Sequence, residues 1–140
     1  MSIYRRTDDE PSGAGVDALL ARAREGLRRV TPVEAAAERD AGAMLVDIRP
    51  EVNREGEGLI PGALVIDRNV LEWRLDPTGR HRLPVAGDPE RRIIVFCNEG
   101  YASSLAAASL REIGLSRATD LIGGYRAWRE SGLPTVRAGG

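Results

Sequence analysis

The stretch Arg92-Ile93-Ile94-Val95-Phe96-Cys97-Asn98-Glu99-Gly100-Tyr101-Ala102-Ser103-Ser104 decides how this chain is read. It opens with an apolar run, 92–96, that ends at the only cysteine of the protein. A turn containing Gly100 follows, and then the helical run 103–113, closed by Gly114. A strand, a tight turn and a helix start in that order aim backbone N–H groups back at the residue ending the strand. Free cysteine titrates near pH 8.5, so only about 3% is thiolate at pH 7. Converging amides and a helix N-terminus favour the anion, each contributing about 0.3–2 kcal/mol. Without them, Cys97 would be a small buried hydrophobe.

Working outward, strand-like and helix-like segments alternate. Residues 16–27 have helical spacing, with Leu19, Leu20, Ala23 and Leu27 on one face. Arg28-Arg29-Val30 reads as a short edge strand. Thr31-Pro32-Val33-Glu34 is a helix start, in which Thr31 caps, Pro32 fits the first turn and Glu34 completes a capping box. Residues 43–48, 63–66 and 118–122 read as further strands. Short helices are expected at 51–56, 69–74 and 125–130, the last stopped by Gly132 and Pro134. Several strands are continuously apolar rather than alternating. That predicts a single α/β domain whose mostly parallel sheet is covered by helices on both faces. In such sheets chemistry gathers at the carboxyl ends of strands, where Asp47, Asp67 and Cys97 fall.

Composition narrows the functions. With 140 residues, 42% hydrophobic and 29% charged, the chain suits one compact domain. Net charge is −1, so no overall field draws nucleic acid or anionic lipid, and neither is expected as a partner. All 20 basic residues are arginine, which excludes lysine Schiff-base and P-loop chemistry. One cysteine and one histidine, His81, cannot supply a four-ligand zinc site without several carboxylates, and His81 sits in a polar loop. No apolar run reaches the roughly 20 residues that cross a bilayer, and the first residues lack a signal segment. A cytoplasmic location is therefore expected. A tyrosine-phosphatase loop needs an arginine six positions after the cysteine to clamp phosphate, but Ser103 stands there. A thioredoxin-like site needs a second cysteine.

Four pieces resemble the rhodanese-homology domain, a sulfurtransferase module. They are Leu45-Val46-Asp47-Ile48-Arg49; Gly58-Leu59-Ile60-Pro61-Gly62-Ala63; the loop from Cys97 to Ser103; and Leu121-Ile122-Gly123-Gly124-Tyr125-Arg126-Ala127-Trp128, followed by Gly132-Leu133-Pro134. The resemblance covers residues 30–136 and implies a five-stranded, mainly parallel sheet. Residues 1–15 would then be a flexible segment, 16–29 a leading helix and 137–140 a tail. It further implies that Cys97 takes a sulfur from a donor, carries it as a persulfide cradled by Asn98, Glu99, Gly100, Tyr101, Ala102 and Ser103, and passes it to a thiol or cyanide. The donor would be a small sulfur compound or a protein persulfide. No metal or organic cofactor is implied.

Some positions depart from the family pattern. Leu59 replaces its usual histidine, and Asn98 and Ala102 stand where members that use thiosulfate well often carry cations. Glu99 adds a negative charge beside the site, which costs a dianion on the order of 1 kcal/mol. Weak thiosulfate turnover is expected. Arg49, Arg68 and Arg74 are candidates to compensate, with Asp47 and Arg49 read first as a supporting ion pair. Trp73 and Trp128 read as packing residues. Tyr101 reads as facing outward from the loop tip. The same residues would also suit a binding or regulatory module with a spectator thiol, or an anion-handling enzyme such as an arsenate reductase relying on an external thiol.

Overall fold

The computed structural model describes residues 13–139. The expected loose segment 1–15 therefore falls, for residues 1–12, outside the described residues, as does Gly140 of the expected tail. Six helices and four strands follow in the order α1 (Val16–Arg24), α2 (Pro32–Asp40), β1 (Met44–Asp47), α3 (Glu51–Glu57), β2 (Leu64–Val65), α4 (Leu71–Leu75), β3 (Ile93–Phe96), α5 (Ala102–Glu112), β4 (Ala118–Asp120) and α6 (Gly124–Glu130). A single 3-10 turn, Arg68–Val70, leads into α4.

The strands form one parallel sheet in the order β2-β1-β3-β4. β1 and β3 are central and buried along their whole length. Their side chains divide by pleat. Met44, Val46, Ile93 and Val95 join Leu71, Leu75, Ala106 and Leu110 on the α4–α5 side. Leu45, Ile94 and Phe96 join Ala35, Leu121, Tyr125 and Trp128 on the α2–α6 side. With both faces covered, the runs had to be continuously apolar.

The sheet has four strands, not the five expected. The missing one, at 28–30, is reduced to a single parallel bridge between Val30 and Leu121. Val30 N donates to Asp120 O at 3.2 Å, and Ile122 N to Val30 O at 2.8 Å. Pairing cannot extend because Thr31 is already the N-cap of α2. Its side chain accepts from Glu34 N, and Glu34 accepts from Thr31 N, so the backbone is committed to the helix one residue after the bridge. Helix α1 ends at Arg24, short of the expected Leu27, and packs against α5. Trp128 is fully buried and donates to Pro134 O at 2.8 Å, whereas Trp73 is 60% exposed and is no packing residue.

β1 leads outward to β2 on one side, and the chain then returns to place β3 on the other. The crevice at the carboxyl ends of β1 and β3 is thus the switch point at which open parallel sheets hold ligands. Asp47 ends β1, and Cys97 directly follows β3.

Candidate functional site

Two amides of the loop after β3, those of Gly100 and Ser103, point at the sulfur, while the carbonyls of Cys97, Asn98 and Gly100 are taken by other partners. Gly100 N lies 3.2 Å and Ser103 N 3.4 Å from Cys97 Sγ, and Ser103 Oγ lies 3.4 Å away. Cys97 O and Asn98 O face the start of α6, where they accept from Tyr125 N at 2.9 Å and Arg126 N at 3.1 Å. Gly100 O accepts from two guanidiniums, Arg24 Nη2 at 2.7 Å and Arg29 Nη2 at 3.0 Å. Two backbone amides thus donate to the sulfur, while the Ser103 hydroxyl accepts from it and gives its own proton to Asp120.

Close backbone approach makes this loop possible. Gly100 has φ +90°, and a Cβ there would sit 2.8 Å from Gly123 N. Gly124 has φ +64°, and a Cβ there would sit 2.5 Å from Cys97 O. Gly100 in the loop and Gly124 at the start of α6 thus let the two backbones meet, which a side chain at either position would prevent.

A second set of contacts fixes the loop from beneath. Asp47 and Arg49 are both buried and pair closely, with Arg49 Nη2 2.7 Å from Asp47 Oδ2. Arg49 also donates to Gly58 O at 2.7 Å and to Asn98 Oδ1 at 3.3 Å, and its guanidinium lies 4.1 Å from the Tyr125 ring centroid. Arg49 thus ties the end of β1 to the loop. Asn98 Nδ2 donates to Glu57 Oε2 at 3.0 Å, and Glu57 also receives Arg126. Hydrogen bonds from Arg126, then from Asn98, hold the Glu57 carboxyl down at about 2, against a small opposing effect of burial. The Glu57 carboxylate in turn raises the Arg126 guanidinium above its ordinary range.

Beside the sulfur lies an open cavity of about 270 Å³ walled by Ile48, Arg49, Pro50, Arg68, Cys97, Asn98, Glu99, Tyr101 and Ala102. A larger concavity of about 620 Å³ opens near the amino ends of the strands, around Arg28, Arg92 and Arg117, with no nucleophile in its walls. The smaller one is the relevant site because it holds the thiol. Of the arginines considered as compensating cations, only Arg49 and Arg68 reach this cavity. Arg74 instead donates to His81 O at 2.6 Å. Arg68 pairs with Glu72 at 3.0 Å. Burial works against the Glu72 charge, but the Ser109 hydroxyl, its own backbone N–H and Arg68 outweigh it and hold the carboxyl below its usual range. Glu99 is drawn to Arg126 at 2.5 Å, so its charge is matched. Tyr101 is 61% exposed at the loop tip.

Sequence reasoning missed Arg24, Arg29, Glu57, Asp120 and Arg126. Asp120 is fully buried at the end of β4 and accepts from the Ser103 and Ser104 hydroxyls at 2.8 Å each and from Arg29 Nε at 2.8 Å. An acid closing an apolar strand was its one visible signal. Among the described residues no group of histidine, cysteine and acidic side chains could hold a metal ion.

The family model of the rhodanese-like domain matches residues 31–131. The chain belongs to the rhodanese-like domain family. Its relatives include the thiosulfate sulfurtransferase GlpE of Stutzerimonas stutzeri, 35% identical over 108 residues, covering 75% of this chain and 87% of that protein. A sulfurtransferase of Allochromatium vinosum is 31% identical, covering 66% and 78%. Among solved structures, a protein of unknown function from Rhodopseudomonas palustris, described as a possible tyrosine phosphatase, superposes with a TM-score of 0.79 at 29% identity over 91% of this chain and 98% of its own. The polysulfide-sulfur transferase homodimer of Wolinella succinogenes superposes with a TM-score of 0.70 at 25% identity, over 91% and 94%. This rhodanese-like fold is one typical of sulfurtransferases. In this member Ser103, hydrogen-bonded to buried Asp120, occupies the position at which a phosphatase loop needs arginine. No described helix is long and apolar enough to cross a membrane.

Proposed function

We propose that this protein is a sulfurtransferase that works through a persulfide on Cys97. The observation that carries the proposal is the set of loop amides converging on Sγ, with Gly100 N at 3.2 Å and Ser103 N at 3.4 Å, at the mouth of an open cavity. The Cys97 thiolate attacks the outer sulfur of a donor R–S–S⁻. The new S–S bond forms as the donor S–S bond breaks, and RS⁻ departs with the bonding pair. An acceptor thiolate then attacks the outer sulfur of the Cys97 persulfide, takes it, and regenerates the Cys97 thiolate. No net oxidation occurs, so no redox cofactor is required.

The donor is a singly charged organic persulfide in preference to the dianion thiosulfate. The cavity walls contributed by Ile48, Pro50, Tyr101 and Ala102 are largely apolar. Its cations are already matched, Arg49 by Asp47 and Arg68 by Glu72, leaving little net field for a dianion. Incubation with inorganic polysulfide, followed by intact mass, is expected to add one sulfur to the wild type and none to Cys97→Ser. The same gain on both, or on neither, refutes the proposal. Loading of Cys97 by thiosulfate as fast as by glutathione persulfide would refute the donor preference alone.

A further inference from the structure

Two arginines that precede the family match at residue 31 reach the cysteine loop. Arg24 Nη2 and Arg29 Nη2 both donate to Gly100 O, at 2.7 and 3.0 Å. Each is held on its far side. Arg24 Nε donates to Ser104 Oγ at 2.9 Å, and the Arg24 guanidinium lies 5.8 Å from the Tyr101 ring centroid. Arg29 forks onto Asp120 at 2.8 and 3.2 Å. The Gly100 carbonyl is thus gripped by two fixed cations, neither of which lines the cavity beside the sulfur.

A trans peptide sets the N–H of one residue opposite the carbonyl of the residue before it. Drawing Gly100 O toward Arg24 and Arg29 therefore turns the Tyr101 N–H the other way. Gly100 N and Ser103 N already serve Sγ itself. Tyr101 lines the cavity, and no described group accepts its N–H. Charge on a peptide oxygen also polarises the whole peptide and strengthens its N–H as a donor.

We propose that Arg24 and Arg29 are positioning residues for sulfur transfer, holding the Gly100 carbonyl so that the Tyr101 amide is aimed at the outer sulfur of a persulfide on Cys97. This rests on the sulfurtransferase function proposed above. The family module is thereby completed by the segment before it, with Arg24 at the end of α1 and Arg29 just beyond, which supplies from behind the loop the cations that Asn98 and Ala102 do not.

The test is Arg24→Gln in the full chain, which leaves the Arg29–Asp120 pair in place. Two rates are read at one pH: loading of Cys97 by inorganic polysulfide, followed by intact mass, and alkylation of unloaded Cys97 by iodoacetamide. Because the Tyr101 amide acts on the outer sulfur, loading should fall roughly tenfold, the scale of one charge-assisted contact, while alkylation stays within about twofold. The urea midpoint separates this from unfolding. Arg24→Lys keeps a cation at Gly100 O and should load within about threefold of wild type; it carries the test if the glutamine variant does not fold. Loading by Arg24→Gln within twofold of wild type, an equal fall in loading and alkylation, or a lysine variant as slow as the glutamine variant would each overturn the inference. A wild type that gains no sulfur refutes the proposed function itself, whereas a wild type that loads alongside an unimpaired Arg24→Gln refutes only the role of the arginines.

Discussion

Substituting Gly124 by alanine should both destabilise the fold and displace the sulfur site. The added Cβ would sit 2.5 Å from Cys97 O and 2.7 Å from Asn98 C, so the loop or α6 must retreat by at least 0.5 Å to reach the 3.0 Å that real Cβ contacts respect. Both neighbours are backbone, so no side chain can swing aside. The left-handed backbone at φ +64° costs alanine about 1–2 kcal/mol. Overpacking adds about 1–3 kcal/mol, and stretching the Tyr125 N–Cys97 O and Arg126 N–Asn98 O bonds adds about 1 kcal/mol more. A loss of roughly 3–6 kcal/mol is expected. Gly132→Ala is the control, because Gly132 also has positive φ, +79°, but nothing lies within 4 Å of its Cβ position. It should lose only the backbone cost, about 1–2 kcal/mol. Urea unfolding followed by the fluorescence of buried Trp128 gives both values. Iodoacetamide alkylation should also separate the two variants, since a shift of this size disturbs the Gly100 N and Ser103 N contacts with Sγ. Stabilities within 0.5 kcal/mol of each other, with equal alkylation rates, would refute the view that close approach by α6 holds the loop.

Further outcomes are expected elsewhere. Asp47→Asn leaves the Arg49 guanidinium buried without its carboxylate and should cost about 3–5 kcal/mol by denaturant titration; a loss below 1 kcal/mol would show the brace to be dispensable. Glu57 titrates lower in the fold, at about 2, than its ordinary 4.5, so its contribution is complete above pH 4.5 and fades as the pH falls toward 2. Glu57→Gln should therefore trail wild type by about 0.5–1 kcal/mol at pH 6, the scale of a solvent-screened pair, and the gap should close by pH 2; a gap independent of pH would assign the effect to packing. Thr119 Oγ1 is buried with no described partner. Thr119→Val should raise stability by about 1 kcal/mol, and a loss would mean that the hydroxyl is satisfied.

The layered sheet was legible in the sequence because its central strands are covered on both faces, which leaves no room for polar alternation at 93–96 or 44–46. Start signals with local chemistry were also legible: Thr31 and Glu34 do form the capping box. The fifth strand was misread although its limit was local: the Thr31 cap, legible in the sequence, leaves Val30 room for one bridge and no more. Trp73 failed as a packing residue because α4 has only five residues, and its buried positions are Leu71 and Leu75. The ionic scaffold of the site was invisible for a different reason. In a chain with 20 arginines no single one stands out, and Arg29 meets Asp120, and Arg126 meets Glu57, across 91 and 69 residues of sequence. Long-range pairing of abundant charges leaves no periodicity to read.

The charges explain why a loop without cations can still suit an anionic sulfur. Glu99, read from sequence as repulsive to an anion, is turned onto Arg126, which also serves Glu57. Arg68 faces Glu72, and Arg49 faces Asp47. Each ionised group around the cavity is thus spoken for, and long-range attraction for a doubly charged donor is small. What remains for the sulfur is short-range and directional: backbone amides within 3.2–3.4 Å. On the proposed function, amides of this kind would stabilise a singly charged, polarisable sulfur on Sγ or one bond further out. A site built in this way discriminates by geometry more than by net charge, which is why the glycines that let α6 and the loop touch carry as much of the chemistry as the cysteine's neighbours do.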